Sequence, residues 1–442
     1  MALGGGVWFS QNKKLPGSYI NFISRITAST TIGSRGVAAI GMSLDWGIDG
    51  EMMEITGEDF VRNSLKYFGF VYTDSAVRWL REIFRNATKV YVYKLNSSDS
   101  GKSSNTYATA KCSGMFGNNL KIKISANVND ANLWDVVTLM SGVEVDSQTV
   151  ASAANLKDND FVTFKKNATL AATAGLSLTG GTHTSTTAEN HVTFMNLLES
   201  YTDVNAVGVA NDESASGALQ LNAVYAAWCK RMRDEVGFKV QVVMYNYAAD
   251  YEGVVNVKNA VNTPSVSKAG LVYWVLGLIA GSPINGSATN KLYDGELDID
   301  TDYTQAQLEA CIDAGEFVLH KVGNDVRVLV DINSLTTTTT DKGDLFKANQ
   351  TIRVIDDMAN QIAATFNTKY LGIVPNDDDG RAALWADIVG YCRELDRIRA
   401  IENFDEESVT VEQGNSKRAV LVNCALTIIN AMEQLYMTTI IS

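Results

Sequence analysis

A strand–helix–strand unit between residues 205 and 245 decides the fold class. "NAVGVA" (205–210) and "KVQVVMY" (239–245) are short runs rich in valine, which is typical of buried strands. Between them an apolar stripe recurs with helical spacing, and its members are Leu221, Val224, Tyr225, Trp228 and Met232. Gly237 follows as a natural helix stop. Two strands joined by a helix favour a parallel sheet, so the unit predicts an α/β body.

The same rhythm extends in both directions from this unit. Upstream, "GVAAIGMSL" (36–44) and "KVYVYKL" (89–95) are predicted strands with a helical pattern between them. Downstream, "AGLVYWVLGLIA" (269–280) is a predicted buried helix that is too short to span a bilayer. Thr304 and Gln307 have the spacing of a capping box before another helix. We therefore assign residues 25–95 and 184–335 to one α/β body.

A β-rich segment interrupts this body. The serine-rich loop "NSSDSGKSSN" (96–105) begins it, "LKIKISA" (120–126) alternates apolar and polar residues, and "LTGGTHT" (178–184) closes it. Short strands separated by turn residues predict an all-β module over residues 96–183. We expect this module to face outward and to be dispensable for the folding of the α/β body.

The remaining segments are two arms, a linker and a small domain. Residues 1–24 predict an N-terminal arm, and the threonine run within 336–345 predicts a linker. Residues 346–434 predict an α+β domain with two helices followed by a hairpin. The last stretch, "MEQLYMTTIIS", is apolar, β-prone and without charge after Glu433. Such a strand needs a partner, either in its own domain or in another molecule.

Composition excludes several classes of function. The formal net charge of the 442 residues is −13, which disfavours nucleic acid or an anionic membrane as the main partner. We find no pattern of a signal peptide and no apolar run long enough to be inserted in a membrane. The five cysteines are dispersed, which fits a reducing cytoplasm better than a disulfide framework or a zinc site; they are Cys112, Cys229, Cys311, Cys392 and Cys424.

Catalytic and cofactor motifs are not found in the sequence. The three histidines, His183, His191 and His320, have no companions at metal-ligand or triad spacing, and we interpret them as turn or surface residues. No phosphate-binding loop, dinucleotide motif or nucleophile elbow is present. The acidic run at 377–379 lacks the spacing of a calcium loop and is better interpreted as a helix cap. The sequence therefore predicts no enzyme, no cofactor and no metal.

Several stretches together resemble the contractile tail sheath proteins of phages and phage-tail-like bacteriocin particles. They are "KLPGSYINF" (14–22), "MFGNNLKIKI" (115–124), "LTGGT" (178–182), "TNKLYDG" (289–295), "KYLGIVPNDDDGRAALWADIVGYCREL" (369–395) and "MEQLYMT" (432–438). They follow the family order along essentially the whole chain.

The resemblance implies a subtilisin-like α/β body, an inserted β-sandwich and a C-terminal domain against an inner tube. It also implies terminal arms that add strands to neighbouring subunits, with the arm residues Tyr19, Ile20, Phe22, Leu435, Tyr436, Met437, Ile440 and Ile441. The implied partners are copies of the chain, the tail tube protein, and baseplate and tail terminator proteins. The chain would be made in the bacterial host cytoplasm and end in a virion or tail-like particle.

Five charged residues lie off the apolar stripe of the last predicted helix and are candidates for contact with the tube: Arg381, Arg393, Glu394, Asp396 and Arg397. A merely solvated helix face is an equally good interpretation. Two alternatives to a contractile sheath stay open. One is a non-contractile self-assembling protein, and the other is a hydrolase on the α/β body, against which the missing protease motifs argue.

Overall fold

We describe the protein from a computed structural model that covers residues 35–96, 100–212 and 217–441. The described chain divides into two compact units, one formed by residues 39–202 and the other by residues 35–38 together with 203–441. The predicted N-terminal arm with Tyr19, Ile20 and Phe22 lies outside the described residues.

The first unit carries the beginning of the α/β pattern and the β-rich module. Its elements are β1 (Val37–Met42, of which the last four residues belong here), β2 (Met52–Thr56), α1 (Gly57–Phe68), α2 (Arg78–Phe84), β3 (Lys89–Lys94), β4 (Ala108–Ala110), β5 (Leu120–Ala126), β6 (Trp134–Met140), β7 (Val143–Val150), β8 (Val162–Phe164), β9 (Thr173–Ser177) and α3 (Ala188–Leu198). Strands β2 and β3 pair antiparallel.

The β-rich module contains a four-stranded antiparallel sheet in the order β7-β6-β5-β9 and a two-stranded sheet, β4-β8. The alternation predicted for β5 is confirmed. Leu120, Ile122 and Ile124 are buried, whereas Lys121 and Lys123 are exposed. This follows from the period of two in a strand, which sends successive side chains to opposite faces.

The module shares its core with the segment that follows β1. The indole of Trp46 stacks on the ring of Phe161, with centroids 6.2 Å apart. The buried ammonium of Lys94 donates to Asp49 Oδ1 at 3.0 Å and to Ser113 Oγ at 2.7 Å. Removing the module would therefore expose Trp46 and take one partner from a buried charge, so we expect a stability cost that the sequence alone does not indicate.

The second unit begins with a parallel sheet and ends with a helix–hairpin domain. Its elements are β10 (Ala206–Val209), α4 (Ala218–Arg231), β11 (Gln241–Tyr245), β12 (Val254–Val257), α5 (Leu271–Gly281), α6 (Gln305–Asp313), β13 (Glu316–Phe317), β14 (Leu319–Val322), β15 (Asp325–Val328), α7 (Asn349–Thr365), α8 (Asp378–Arg397), β16 (Ile401–Glu402), β17 (Val409–Gln413), β18 (Val420–Cys424) and β19 (Thr427–Ile428).

The predicted strand–helix–strand unit is confirmed in this sheet. Strands β10, β11, β12 and β13 pair in parallel in that order, and α5, whose residues are almost all buried, packs on the first three. Gly237 ends the helical segment with φ of 88°, a conformation that glycine adopts without steric cost. The apolar face predicted for α4 is only partly confirmed. Tyr225 and Trp228 are buried, but Val224 is 43% exposed because α4 contacts the sheet through its aromatic side.

The C-terminal domain packs α7, α8 and the β17–β18 hairpin around one apolar core. The predicted cap of α8 is confirmed, since the Asp377 carboxylate accepts the N–H of Gly380 at 2.8 Å. The capping box of Thr304 and Gln307 at α6 is confirmed as well. Over the described ranges, no helix combines the length and the apolar character needed to cross a membrane.

Candidate assembly surface

The predicted C-terminal arm, residues 435–442, is exposed and apolar over its described part, 435–441. No strand is assigned within it among the described residues. Its large side chains are 78% to 92% exposed; they are Leu435, Tyr436, Met437, Ile440 and Ile441. Soluble proteins seldom leave so many neighbouring apolar side chains in water unless they form an interaction site. The arm therefore has the character of an interaction element that the rest of the described chain does not cover.

The hairpin β17–β18 offers sheet edges to which a further strand could be added. Its five residue pairs run from Val409 with Cys424 to Gln413 with Val420. In the described part of the chain no third strand pairs with either member. Every second residue of an antiparallel pair directs its N–H and C=O away from the partner, so each outer edge can accept another strand. Leu421 and Val422 of β18 are exposed.

An apolar groove of about 590 Å³ lies beside this hairpin. Helices α7 and α8 and the first residues of β18 form it, and Asn367 is the polar residue in its lining. The apolar lining includes Ile355, Met358, Ile362, Phe366, Leu384, Ile388, Val420 and Val422. Open apolar grooves of this size are suited to receive side chains of a bound segment.

The five charged candidates for tube contact lie on α8, and the structure gives four of them partners within the chain. Arg393 pairs with Glu406, Arg397 with Glu394, and Arg381 with Asp378. The hydrogen bond from Arg397 lowers the pKa of the Glu394 carboxyl. Asp396, Arg393 and Arg397 are exposed, whereas Arg381 is half-buried. The helix thus presents a face of exposed ion pairs, which is compatible with a tube contact and equally with a solvated surface.

The histidines differ in their surroundings. Burial lowers the pKa of His191 to about 4 and also lowers the pKa of His320, so both rings are neutral at pH 7. His183 lies in a cluster that sequence spacing did not reveal. Its Nδ1 is 2.6 Å from Asp45 Oδ1 and its Nε2 is 3.4 Å from Ser43 Oγ.

This arrangement has the residue types and the order of a serine–histidine–aspartate triad. The serine and the aspartate are both exposed, and the contact between the serine and the histidine is long for a hydrogen bond. His183 is 138 positions from Asp45 and 140 positions from Ser43 in the chain, so no local motif could have indicated the cluster.

Comparison with known proteins identifies the family. Three family profiles match in order along the chain: the phage tail sheath β-sandwich domain over residues 92–186, the sheath central domain over 184–334 and the sheath C-terminal domain over 341–442. The sheath tail protein of Desulfitobacterium hafniense is 33% identical, with a TM-score of 0.80 over 95% of this chain and 99% of that one. The chain belongs to the phage tail sheath family. The family predicted from the sequence is thereby confirmed.

Other relatives extend this picture of a sheath protein. The phage-like element PBSX protein XkdK of Bacillus subtilis is 31% identical, and the match covers 98% of both chains. The contracted helical sheath of the anti-feeding prophage has a TM-score of 0.55 over 97% of this chain and 99% of that one, at 13% identity. At this identity the likeness concerns the fold alone. The chain is thus a multi-domain α/β protein with a β-sandwich domain and the fold of sheath subunits.

Proposed function

We propose that this sheath protein polymerises helically around an inner tube and contracts to drive that tube through a target cell envelope. The observation that carries the proposal is the C-terminal arm, an apolar segment that the other described residues leave exposed, in a member of the tail sheath family. The likeness in fold to a contracted sheath supports it. The further partners are the tail tube, baseplate and tail terminator proteins. Synthesis takes place in the host cytoplasm, and the mature location is the virion or tail-like particle.

The joint between subunits is strand exchange. Residues 435–441 span about 23 Å when extended at roughly 3.3 Å each, which is enough to reach a neighbouring subunit. The arm adds to an outer edge of the β17–β18 hairpin in a second copy, and its apolar side chains enter the groove beside it. Backbone hydrogen bonds hold the strand, while the alternation of side chains fixes its register.

A single joint of this kind contributes a modest free energy of association, and the many joints of a helical lattice together keep the subunits connected. Burying a large apolar side chain of the arm contributes about 1.5–3 kcal/mol before the cost of ordering the arm and of association is subtracted. Many such joints in a helical polymer act together. Subunits can therefore swing as rigid bodies between two packings without separating, and no nucleotide is required.

Electron microscopy of the purified full chain tests this proposal. Hollow helical cylinders are expected, and addition of the tube protein should produce cylinders with a filled axis. The alternative, a non-contractile self-assembling protein, would produce sheets or closed shells, or cylinders with one diameter under all conditions. Monomers alone at high concentration would contradict both.

The tube-facing surface is the exposed side of α8 with Arg381, Arg393, Glu394, Asp396 and Arg397. We expect Arg393→Glu with Arg397→Glu to reduce assembly around tubes by about tenfold or more, because two charges of the interface reverse sign. Cylinders formed without tubes should be unaffected. The measurement is the pelleted fraction of sheath with and without tubes.

Arg62→Glu on α1 is the control for this prediction, because it disrupts an exposed ion pair that is not part of the proposed tube-facing surface. It should leave assembly with and without tubes unchanged. Equal losses of tube-dependent and tube-free assembly would assign α8 to contacts between sheath subunits instead.

A second candidate function has one observation in its favour. The central body is proposed to be subtilisin-like in fold, and Ser43, His183 and Asp45 form a triad-like cluster in the first unit. The protease motifs themselves are missing, and the serine lies exposed on a surface loop. We interpret the cluster as a hydrogen-bonded link between residues 43–45 and the chain that leaves the β-rich module.

A serine-directed fluorophosphonate probe distinguishes these two functions. We expect labelling of the native protein to match that of the Ser43→Ala variant and of heat-denatured protein, because an exposed serine without an activating site reacts slowly. Chymotrypsin-like proteases serve as positive controls for the probe. Labelling that requires Ser43 and is lost in His183→Ala would establish hydrolase-type reactivity.

A further inference from the structure

Arg35, which lies just before β1, is hydrogen-bonded to the end of α5 and to the first residue of the loop that follows it, residues 282–289. The guanidinium of Arg35 donates to the carbonyl oxygens of Ile279 at 3.1 Å and Ser282 at 3.2 Å. These carbonyls lie at the C-terminal end of α5, where a positive charge is favoured. Burial lowers the pKa of Arg35 to about 10, so the group remains charged at pH 7. The chain is thus fixed to this loop immediately before β1.

The segment that leads into the C-terminal arm is fixed to the same loop through Gln350 at the start of α7. The side-chain Nε2 of Gln350 donates to the carbonyl oxygen of Asn285 at 2.9 Å and to that of Ile429 at 3.2 Å. Its Oε1 accepts the N–H of Ala431 at 3.0 Å. The Gln350 side chain is buried, and its three hydrogen bonds are partly buried. One side-chain amide therefore bonds the loop and both sides of residue 430.

The amide of Gln350 takes the place of a neighbouring strand. Strand β19 pairs with β16 only as far as Ile428, after which the N–H of Ile429 donates to the carbonyl of Ala400. A carbonyl at 429 and an N–H at 431 are the groups that an adjacent strand would bond, and Gln350 bonds both. The fixed backbone is thereby extended beyond the last strand.

Two further side-chain contacts hold the segment before the arm. Thr351 Oγ1 donates to Asn430 Oδ1 at 3.1 Å, and Thr289 Oγ1 donates to Glu433 Oε1 at 2.7 Å. Thr289 belongs to the loop that also holds Arg35 and Gln350. Beyond Glu433 the arm side chains are almost fully exposed. The hydrogen-bonded part of the backbone therefore ends, and the exposed arm begins, between residues 431 and 435.

We propose that Gln350 is the positioning residue of the C-terminal arm. It fixes the segment before the arm to the loop 282–289, and Arg35, just before β1, is bonded to the start of the same loop. This inference rests on the proposed exchange of arm strands. Since hydrogen bonds fix the backbone at residues 429 and 431, the direction in which the arm leaves the subunit is set before the arm contacts a neighbouring subunit. A pull on the arm therefore passes to the start of α7 and to this loop.

Hydrogen exchange of the monomer tests the contact directly. In Gln350→Met, which keeps the length and apolar bulk of the side chain, exchange in the peptide covering residues 428–434 should quicken by about tenfold. Thr351→Val is the milder variant with the same direction of change. Gln305→Met, an exposed glutamine on α6, is the matched control and should leave this peptide unchanged. Thermal unfolding shows that the variants are folded.

Assembly supplies the second measurement. Gln350→Met with an intact arm should form short or irregular cylinders, whereas Gln305→Met should assemble like the unaltered protein. Unchanged exchange at 428–434 in Gln350→Met, or regular cylinders despite faster exchange, would refute the positioning role. Failure of the unaltered chain to form any cylinder would instead refute the proposed function, while the exchange measurement would still decide whether Gln350 holds the arm.

Discussion

Deletion of residues 435–442 is expected to yield a folded, more soluble monomer that forms no ordered cylinders. The large side chains removed are 78% to 92% exposed in the single chain, so the monomer loses little buried surface. An internal core strand would behave differently, because net folding free energies are only about 5–15 kcal/mol and such a strand contributes much of that. The loss should therefore concern the lattice and spare the fold.

Three measurements decide this prediction. Thermal unfolding of the truncated monomer should match that of the full chain, sedimentation should give a single small species, and electron microscopy should find no cylinders. Met437→Pro should act in the same direction by removing one backbone donor from the added strand. Met437→Leu is its control, since it keeps both the donor and the apolar bulk. An unfolded truncated chain, or normal sheaths built from it, would mean that the arm serves its own subunit.

If both arms exchange strands as proposed, deletion of residues 1–22 is also expected to yield a folded monomer that forms no ordered cylinders. This segment lies outside the described residues, so the expectation rests on the sequence pattern and on the resemblance to sheath proteins. Assembly by a chain that lacks only this segment would restrict strand exchange to the C-terminal arm.

Asp356→Ala is expected to cause the largest loss of monomer stability. Asp356 on α7 and Arg233 after α4 form a buried bidentate pair with N–O distances of 2.6 and 2.7 Å. Burial alone would lower the pKa of Arg233, but the adjacent carboxylate raises it above its ordinary value, so the guanidinium stays charged. Removing one partner leaves an uncompensated buried charge, which costs about 3–5 kcal/mol.

Chemical denaturation of the monomer measures this loss as a lower midpoint. Asp325→Ala, which breaks a more exposed pair with Arg327, is the control and should cost about 0–1 kcal/mol. The double variant Arg233→Met with Asp356→Leu should regain most of the stability, because no charge is then left unpaired. A single variant as stable as the control would mean that water or another group solvates Arg233.

Local patterns determined much of the fold. The alternation in "LKIKISA" gave the buried face of β5, and the threonine–glutamine spacing at 304 and 307 gave the start of α6. The cap at Asp377 was likewise predicted. These features depend on residues a few positions apart, where the period of a strand or the unpaired N–H groups of a helix end fix the outcome. The family, too, was predicted from ordered motifs along the chain.

The sequence also indicated that the stretch after Glu433 is unusual, because it is apolar, β-prone and without charge. It did not indicate which side chains hold that arm. Gln350 and Ala431 are 81 positions apart, and a glutamine at the start of a helix has no local signature. The helical stripe similarly could not tell that Val224 would be half exposed, since that depends on which side of α4 meets the sheet.

The polar contacts between residues far apart in the chain are visible only in the tertiary structure. Arg233 meets Asp356 across 123 positions, and Ser43 meets His183 across 140. No local pattern in the sequence marks Asp356 on α7 as a member of a buried pair. Its partner is set by the packing of α7 against the end of α4, and such packing is fixed by shape and by exclusion of water, which no short stretch of sequence encodes.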